Sequence, residues 1–158
     1  MAAAVIAIGT VAAVDPAPRL MWNGSASVRL GLYRIESVAT YQRGDLVLVQ
    51  PPDAARQIAV ERGYLPDGVP LVKRIEAVAG DIVCAESGRM SVNGALVTEA
   101  LTVDSLGRSL APWGGCRTLD HDEFLVLMVG VAASFDSRYF GPIIRADIVG
   151  KAVPLWTW

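Results

Sequence analysis

The sequence predicts a mainly β domain with one short helix. Several short apolar runs bounded by Gly, Pro or Asp are typical of strands. Asn93-Gly94, between MSV and ALV, is a strong signal for a two-residue hairpin turn. Many short strands with few helices favour an antiparallel or mixed β fold over alternating βα units. The predicted strands lie at 28–37, 45–50, 71–78, 81–85, 124–129 and 148–156.

One helix is expected within AARQIAVER. Asp53 is placed to cap its first turn, and Gly63 is placed to end it. A more polar, turn-rich stretch at about 86–123 interrupts the strand pattern and is expected to be a small inserted β-hairpin region. With 158 residues, the chain is long enough for one domain, which we place at 16–158.

Residues 1–15 form an apolar N-terminal segment that ends at Asp15 and Pro16. As a helix it would reach about 20 Å, short of the roughly 30 Å hydrocarbon core of a bilayer. Three interpretations follow: a marginal membrane anchor, the remnant of a longer anchor, or an apolar segment packed on the domain. An anchor or its remnant is favoured.

Composition excludes several classes of function. The net charge of −2 gives no electrostatic reason to expect a nucleic-acid partner. The single histidine, His121, lies between two aspartates and is expected at the surface. No cluster of His, Cys or paired carboxylates has the spacing of a metal site, so neither a metal nor a cofactor is expected.

The two cysteines, Cys84 and Cys116, match no CxxC redox or zinc spacing. In an oxidising compartment they could form a disulfide that closes a loop, and in the cytosol they would be buried thiols. The sequence leaves both alternatives open.

Lys73 is the first of three positions that could carry chemistry. Strand alternation places Lys73 on an apolar row with Leu71, Ile75 and Ala77. A desolvated lysine has a lowered pKa and can act as a base near neutral pH. The alternative is that its aliphatic stem carries the ammonium to the surface.

The segment NGSASVRLGLY, at 23–33, contains Ser25 and Ser27. In an extended segment both hydroxyls would point the same way, so that one could attack while the other stabilises an oxyanion. A lysine amine can activate such a serine in place of histidine. The alternative for a serine-rich segment is an ordinary turn.

The segment SFDSRYFGP, at 134–142, places Ser134, Asp136 and Arg138 close together. Asp136 and Arg138, two residues apart, could pair on one strand face. The alternative is a surface ion pair that contributes under about 1 kcal/mol.

Taken together, these three segments resemble bacterial type I signal peptidases. The closer resemblance is to their conjugation-specific relatives, the TraF-type conjugative transfer signal peptidases, and it spans roughly residues 16–158. It depends on S-x-S before an apolar residue and on GLYRI, RGYLPDGVPLVKRI, SFDSRYFGPI and IVGKAVPLW. Two departures stand out: Arg29-Leu30 replaces the proline common after the nucleophile, and Met128-Val129-Gly130 stands where general signal peptidases have Gly-Asp-Asn. The second favours the conjugation branch.

The resemblance implies a signal-peptidase-like β catalytic core with a Ser/Lys dyad. Ser27 matches the nucleophile and Lys73 the general base. Ser25 matches the serine that helps form the oxyanion hole, together with the Ser27 amide. Ser134 matches a serine that orients the lysine. Asp136 and Arg138 match a supporting ion pair.

The resemblance also implies a substrate and a location. The expected substrate is a conjugative pilin precursor, or another signal-bearing protein, cut after small residues. In the pilin case the resemblance also allows the product to be closed into a ring. The expected location is the periplasmic face of the bacterial inner membrane, beside the membrane surface and other proteins of the conjugation apparatus. Alternatives are a general type I signal peptidase, a self-cleaving repressor-like Ser-Lys enzyme and a non-catalytic periplasmic scaffold for pilus assembly. The apolar start and the lack of a DNA-binding segment argue against the repressor-like enzyme.

Overall fold

A computed structural model describes residues 19–158. The apolar segment predicted at 1–15 therefore lies outside the described residues. The helices are α1 (Asp53–Glu61) and α2 (Ser137–Phe140), with a 3-10 turn at Arg145–Asp147. The strands are β1 (Leu20–Asn23), β2 (Gly31–Glu36), β3 (Leu46–Val49), β4 (Leu71–Ala77), β5 (Ile82–Glu86), β6 (Arg89–Val92), β7 (Ala95–Glu99), β8 (Gly115–Thr118), β9 (Glu123–Leu127), β10 (Ile143–Ile144) and β11 (Ile148–Thr157). The prediction of a mainly β fold is confirmed.

The larger sheet has seven strands in the order β1-β2-β11-β3-β4-β9-β10. Strand β4 pairs antiparallel with β3 on one side and with β9 on the other. Ile75 of β4 and Val126 of β9, which are direct partners in this register, have no exposed surface. Lys73 is therefore held on an interior strand whose neighbours are apolar.

A second sheet has four strands in the order β7-β6-β5-β8 and comes between β4 and β9 in the chain. Asn93-Gly94 forms the predicted turn between β6 and β7, and both residues have the positive φ that a type I′ turn requires. Cys84 and Cys116 are opposite each other on β5 and β8 and form a disulfide bond. The predicted insertion at 86–123 overlaps this sheet, and its boundaries stay a prediction.

The predicted start of helix α1 was wrong in detail. Asp53 is the first helical residue, whereas Pro52 holds the N-cap position without a side-chain cap. The Asp53 carboxylate instead pairs with Arg56 one turn later. Gly63 follows the helix with φ of 70°, the left-handed conformation that favours glycine at a helix end. Among residues 19–158, no helix combines the length and apolarity needed to cross a bilayer.

Candidate active site

Lys73 lies on β4 with its side chain buried. Its exposed fraction is 2%, so the ammonium does not extend to solvent along its stem. Its Nζ donates a hydrogen bond to Ser134 Oγ at 2.9 Å. Burial lowers the pKa of Lys73 to about 8, while the Asp136 carboxylate opposes this shift and the Arg138 guanidinium adds to it. The neutral amine that a general base requires is therefore populated at mildly alkaline pH.

Ser134, which accepts this hydrogen bond, lies in the loop between β9 and α2. Its exposed fraction is 3%. Three carbonyl groups of this loop accept hydrogen bonds from the Arg138 guanidinium: Val131 at 2.8 Å, and Met128 and Ala132 at 3.3 Å each. Arg138 thus fixes the backbone that presents Ser134 to the lysine.

Asp136 and Arg138 form a bidentate ion pair. Arg138 Nε and Nη2 each donate to one Asp136 oxygen at 2.8 Å, and neither side chain has exposed surface. The surface-pair alternative is therefore wrong. The predicted placement on a strand face is also wrong, because Asp136 is the N-cap of α2 and accepts from the backbone N–H of Arg138. Its other oxygen accepts from the N–H of Met128, which ties the cap to the end of β9.

Ser27 lies in the turn between β1 and β2, and this turn is organised by Asn23. Asn23 is buried, and its Nδ2 donates to the carbonyl groups of Ser25, Val28 and Arg29 at 2.9–3.2 Å. Its Oδ1 accepts from both the backbone N–H and the hydroxyl of Ser25. One side chain thereby holds both ends of the nucleophile loop, which we define as residues 24–30.

Ser25 Oγ and Ser27 Oγ are 3.0 Å apart. The predicted proximity of the two hydroxyls is observed, although the segment forms a turn and not an extended strand. A serine has one hydroxyl hydrogen, and that of Ser25 is directed to Asn23 Oδ1. Ser27 is therefore the donor to Ser25. Among the described residues, the hydrogen-bond partner of Lys73 Nζ is Ser134 and not Ser27.

A cavity of about 600 Å³, which we call the first cavity, brings the candidate serines and the lysine together. Ser25, Ser27, Lys73 and Ser134 all line it. Apolar side chains form much of the remaining wall, among them those of Leu71, Val72, Leu101, Leu110, Ala133 and Phe135. The cavity therefore combines the two candidate reactive groups with room for small apolar side chains.

Asp104 anchors the far wall of this first cavity. Its carboxylate accepts from Tyr64 Oη and from Arg108 Nε, both at 2.6 Å. Desolvation opposes ionisation, but these hydrogen bonds and that from the N–H of Leu106 outweigh it and lower the pKa of Asp104 below its ordinary range. The loop between β7 and β8 is thus attached to the segment that follows α1.

The two cysteines, which the sequence singled out as a possible disulfide, lie away from this cavity. Two residues that the sequence did not single out, Asn23 and Tyr33, support the loop that contains Ser27. Cys84 and Cys116 belong to the second sheet and do not line the first cavity. Sequence reasoning missed Asn23 and Tyr33, whose hydroxyl donates to the Arg29 carbonyl at 2.7 Å. The one available signal was Asn23-Gly24 at the start of a turn, since asparagine commonly bonds to nearby backbone there.

Potential metal ligands are not clustered in the part of the chain that the structure describes: within 19–158, no group of three or more His, Cys, Asp or Glu side chains is placed to hold a metal ion. His121 is exposed and does not line the first cavity.

A core of antiparallel strands carries a buried lysine and a serine-containing loop that line one cavity, and sequence comparison identifies the class of protein. The model of the signal peptidase family, peptidase S26, matches residues 1–158. The chain belongs to this family of serine peptidases.

Within the family, the chain is similar to proteins of plasmid transfer. It is 38% identical to the conjugal transfer protein TraF of Agrobacterium fabrum, over 86% of this chain and 81% of that protein. It is 34% identical to a plasmid transfer protein TraF of Escherichia coli, over 86% and 82% of the two chains. It is also 28% identical to a signal peptidase I of Leptolyngbya laminosa, over 71% and 51%. A solved signal peptidase I from Enterococcus faecalis aligns with a TM-score of 0.42 at 20% identity, covering 75% of this chain and 100% of that one.

Proposed function

We propose that this protein is a serine endopeptidase in which Ser27 is the nucleophile and Lys73 the general base. The observation that carries the proposal is the buried, hydrogen-bonded Lys73 amine, which lines the same cavity as Ser27. A non-catalytic scaffold would have no need to bury a lysine in an apolar strand. Burial of an ammonium is unfavourable, and that cost is common at catalytic sites.

The first step is activation of Ser27. Neutral Lys73 removes the hydroxyl proton as the Ser27 oxygen attacks the scissile carbonyl carbon. Because the Ser27 hydroxyl is directed to Ser25 in this structure, it must first rotate toward Lys73. Ser134 holds the Lys73 amine during this change. Hydrogen bonds at catalytic groups are often incomplete before substrate binds.

The second step is stabilisation and collapse of the tetrahedral intermediate. The Ser27 N–H and the Ser25 hydroxyl donate to the oxyanion, and one such donor lowers the barrier by about 3–4 kcal/mol. Ser25 becomes free to donate once it leaves Asn23 Oδ1. The Lys73 ammonium then protonates the leaving amine as the peptide bond breaks and an acyl group remains on Ser27.

The acyl group is then transferred to an acceptor. Attack by water gives a linear product, and attack by the substrate's own amino terminus gives a ring. In both cases Lys73 accepts a proton from the acceptor and returns it to Ser27. The apolar walls of the first cavity favour apolar residues before the cut, and the preference for small ones is what the family resemblance implies.

The substrate that we propose is a conjugative pilin precursor. Support comes from the two plasmid transfer relatives, each of which aligns over 86% of this chain. A general signal peptidase acting on signal-bearing precursors is the second candidate, supported by the weaker likeness to signal peptidase I of Leptolyngbya laminosa. The two candidates share the dyad and differ in the substrate.

We place the site at the periplasmic face of the inner membrane. Trp22, Trp156 and Trp158 are 54–67% exposed, and neighbouring rings lie 5.3–5.4 Å apart, centroid to centroid. With this exposure, Trp156 and Trp158 do not cap the core. Indoles favour the membrane–water interface, so the cluster supports contact between this face and the membrane, where other conjugation proteins would meet it.

The proposed function is tested by intact mass of a pilin precursor co-expressed with the wild-type protein or with Ser27→Ala. We expect the wild type to shorten the precursor and Ser27→Ala to leave it intact. A further loss of one water from the trimmed product would identify ring closure. Trimming by the variant would contradict the assignment of the nucleophile, and a substrate preference for ordinary secretory precursors would favour the second candidate.

A further inference from the structure

A second cavity, of about 670 Å³, lies beside the nucleophile loop. Ala26 and Ser27 line both cavities, so Ser27 stands at their boundary. The second cavity is lined by Arg29 and Arg74 but not by Lys73 or Ser134. The two cavities thus differ in character: the first is lined by the candidate base among apolar walls, and the second is lined by two arginines.

Neither guanidinium is neutralised by a salt bridge among residues 19–158. Most other arginines in this part of the chain have a carboxylate within 4.0 Å, such as Arg43 with Asp81 and Arg117 with Glu123. Arg74 donates instead to the carbonyl group of Gly44 at 2.7 Å. Glu76 lies two residues beyond on β4 and feels the charge of Arg74, but it forms no ion pair with it. Two positive charges at one cavity are therefore available to an anion.

The remaining walls suit a bound peptide. Tyr33, Met128, Pro154 and Trp158 contribute apolar surface to the second cavity. The Trp158 backbone N–H donates to the Leu30 carbonyl at 3.1 Å, which fixes this wall against the nucleophile loop. Apolar walls reduce the competition from water, and a guanidinium fork matches the two oxygens of a carboxylate.

We propose that the second cavity binds a carboxylate of the substrate segment that follows the cut. This inference rests on the proposed function. A polypeptide that crosses Ser27 must leave residues on both sides of it. The first, apolar cavity fits the small residues before the cut, which leaves the second for the residues that depart with the leaving amine. The carboxylate is either an acidic side chain or the terminal carboxylate of a short leaving segment.

The test uses three peptides that are identical before the cut. The first has glutamine and an amidated C-terminus after the cut, the second replaces glutamine with glutamate, and the third keeps glutamine with a free C-terminus. We expect the wild type to cleave one or both carboxylate peptides with a kcat/KM about tenfold above that of the neutral peptide. The second and third peptides distinguish the two sources of carboxylate.

Arginine variants identify the binding residues. Arg29→Glu and Arg74→Gln are expected to remove the preference for the carboxylate peptide. Arg89→Glu, an exposed arginine of the second sheet, is the matched control and is expected to keep it. Equal kcat/KM for all three peptides in the wild type would overturn the proposal. So would a loss in the variants that is equally large for neutral and carboxylate peptides.

A binding measurement separates this inference from the proposed function. The segment after the cut is titrated alone into Ser27→Ala, in its neutral and carboxylate forms, while the Trp158 indole N–H signal is followed by NMR and assigned with Trp158→Phe. We expect about tenfold tighter binding of a carboxylate form, again lost in Arg29→Glu. Tighter binding of a carboxylate form, together with no cleavage of any of the three peptides by the wild type, would sustain the subsite and refute the peptidase. Equal binding of all forms would refute the subsite.

Discussion

Lys73→Met is expected to abolish cleavage and, below pH 8, to make the protein more stable. Loss of the proposed base should lower kcat/KM by about 10⁴-fold, as loss of a catalytic residue does in serine peptidase triads. Methionine is close to lysine in length and needs no solvation, so it suits the apolar strand. A purely structural Lys73 would give the opposite result for stability.

The stability effect has a defined pH window. The pKa of Lys73 falls from 10.5 in the unfolded chain to about 8 in the folded protein. Below pH 8 the folded protein carries the full cost of a buried ammonium, about 3 kcal/mol for this shift. The cost declines as pH rises from 8 to 10.5, because the folded amine is neutral there. Loss of the Ser134 hydrogen bond offsets about 1 kcal/mol of the gain.

Urea unfolding at pH 6 and pH 10 measures both parts of this prediction. We expect the free energy of unfolding of Lys73→Met to exceed that of the wild type by about 2 kcal/mol at pH 6, and the two values to be equal at pH 10. Lys151→Met is the matched control, since Lys151 pairs with Asp45 at 2.6 Å and lines neither cavity. It should retain cleavage. A Lys73→Met protein that is less stable at both pH values would show that the amine is not an unfavourable buried charge.

Arg138→Met is expected to destabilise the protein by about 3–5 kcal/mol, the usual effect of breaking a buried ion pair from one side. The change leaves the Asp136 carboxylate buried without its partner and removes three hydrogen bonds to the Met128–Ala132 backbone. Ser134, which that backbone presents to Lys73, should then be misplaced. The rate of cleavage should therefore be lower even for the molecules that stay folded.

A double variant separates charge from packing. Asp136→Asn with Arg138→Met removes both charges and keeps an acceptor for the N–H of Met128. We expect it to be more stable than Arg138→Met alone, with both free energies of unfolding measured in urea. If the free energy of unfolding of Arg138→Met were within about 1 kcal/mol of the wild-type value, the Asp136–Arg138 pair would contribute no more than a surface ion pair.

The sequence pattern predicted those features that depend on alternation along a strand. The apolar row on β4 placed Lys73 in the interior, because one residue in two faces the core of an interior strand. The Asn93-Gly94 turn was predictable for a similarly local reason, since both residues tolerate a positive φ. Both features were predictable because strand alternation and turn preference depend only on residues that are neighbours in the chain.

The remaining site geometry depends on contacts that no local pattern contains. Asp136 was expected on a strand, yet its cap of α2 and its bond to Met128 form only when the chain turns back on β9. Asn23 donates a hydrogen bond to the carbonyl group of Arg29, six residues later in the chain, and this contact depends on the shape of the nucleophile loop. The placement of Ser27 and Lys73 on one cavity is likewise set by tertiary structure, because β11 and β3 lie between β2 and β4 in the sheet.

The most direct test of a Ser27/Lys73 dyad is the dependence of kcat/KM on pH, measured from pH 6 to 10 with a neutral peptide. Because kcat/KM reports ionisations of the free enzyme, activity should rise with the neutral fraction of Lys73. We expect a midpoint of about 8, from the lowered pKa of Lys73. A midpoint near 6.5, the ordinary value for imidazole, would contradict this account and point to a histidine as base, and His121 is the only histidine in the chain.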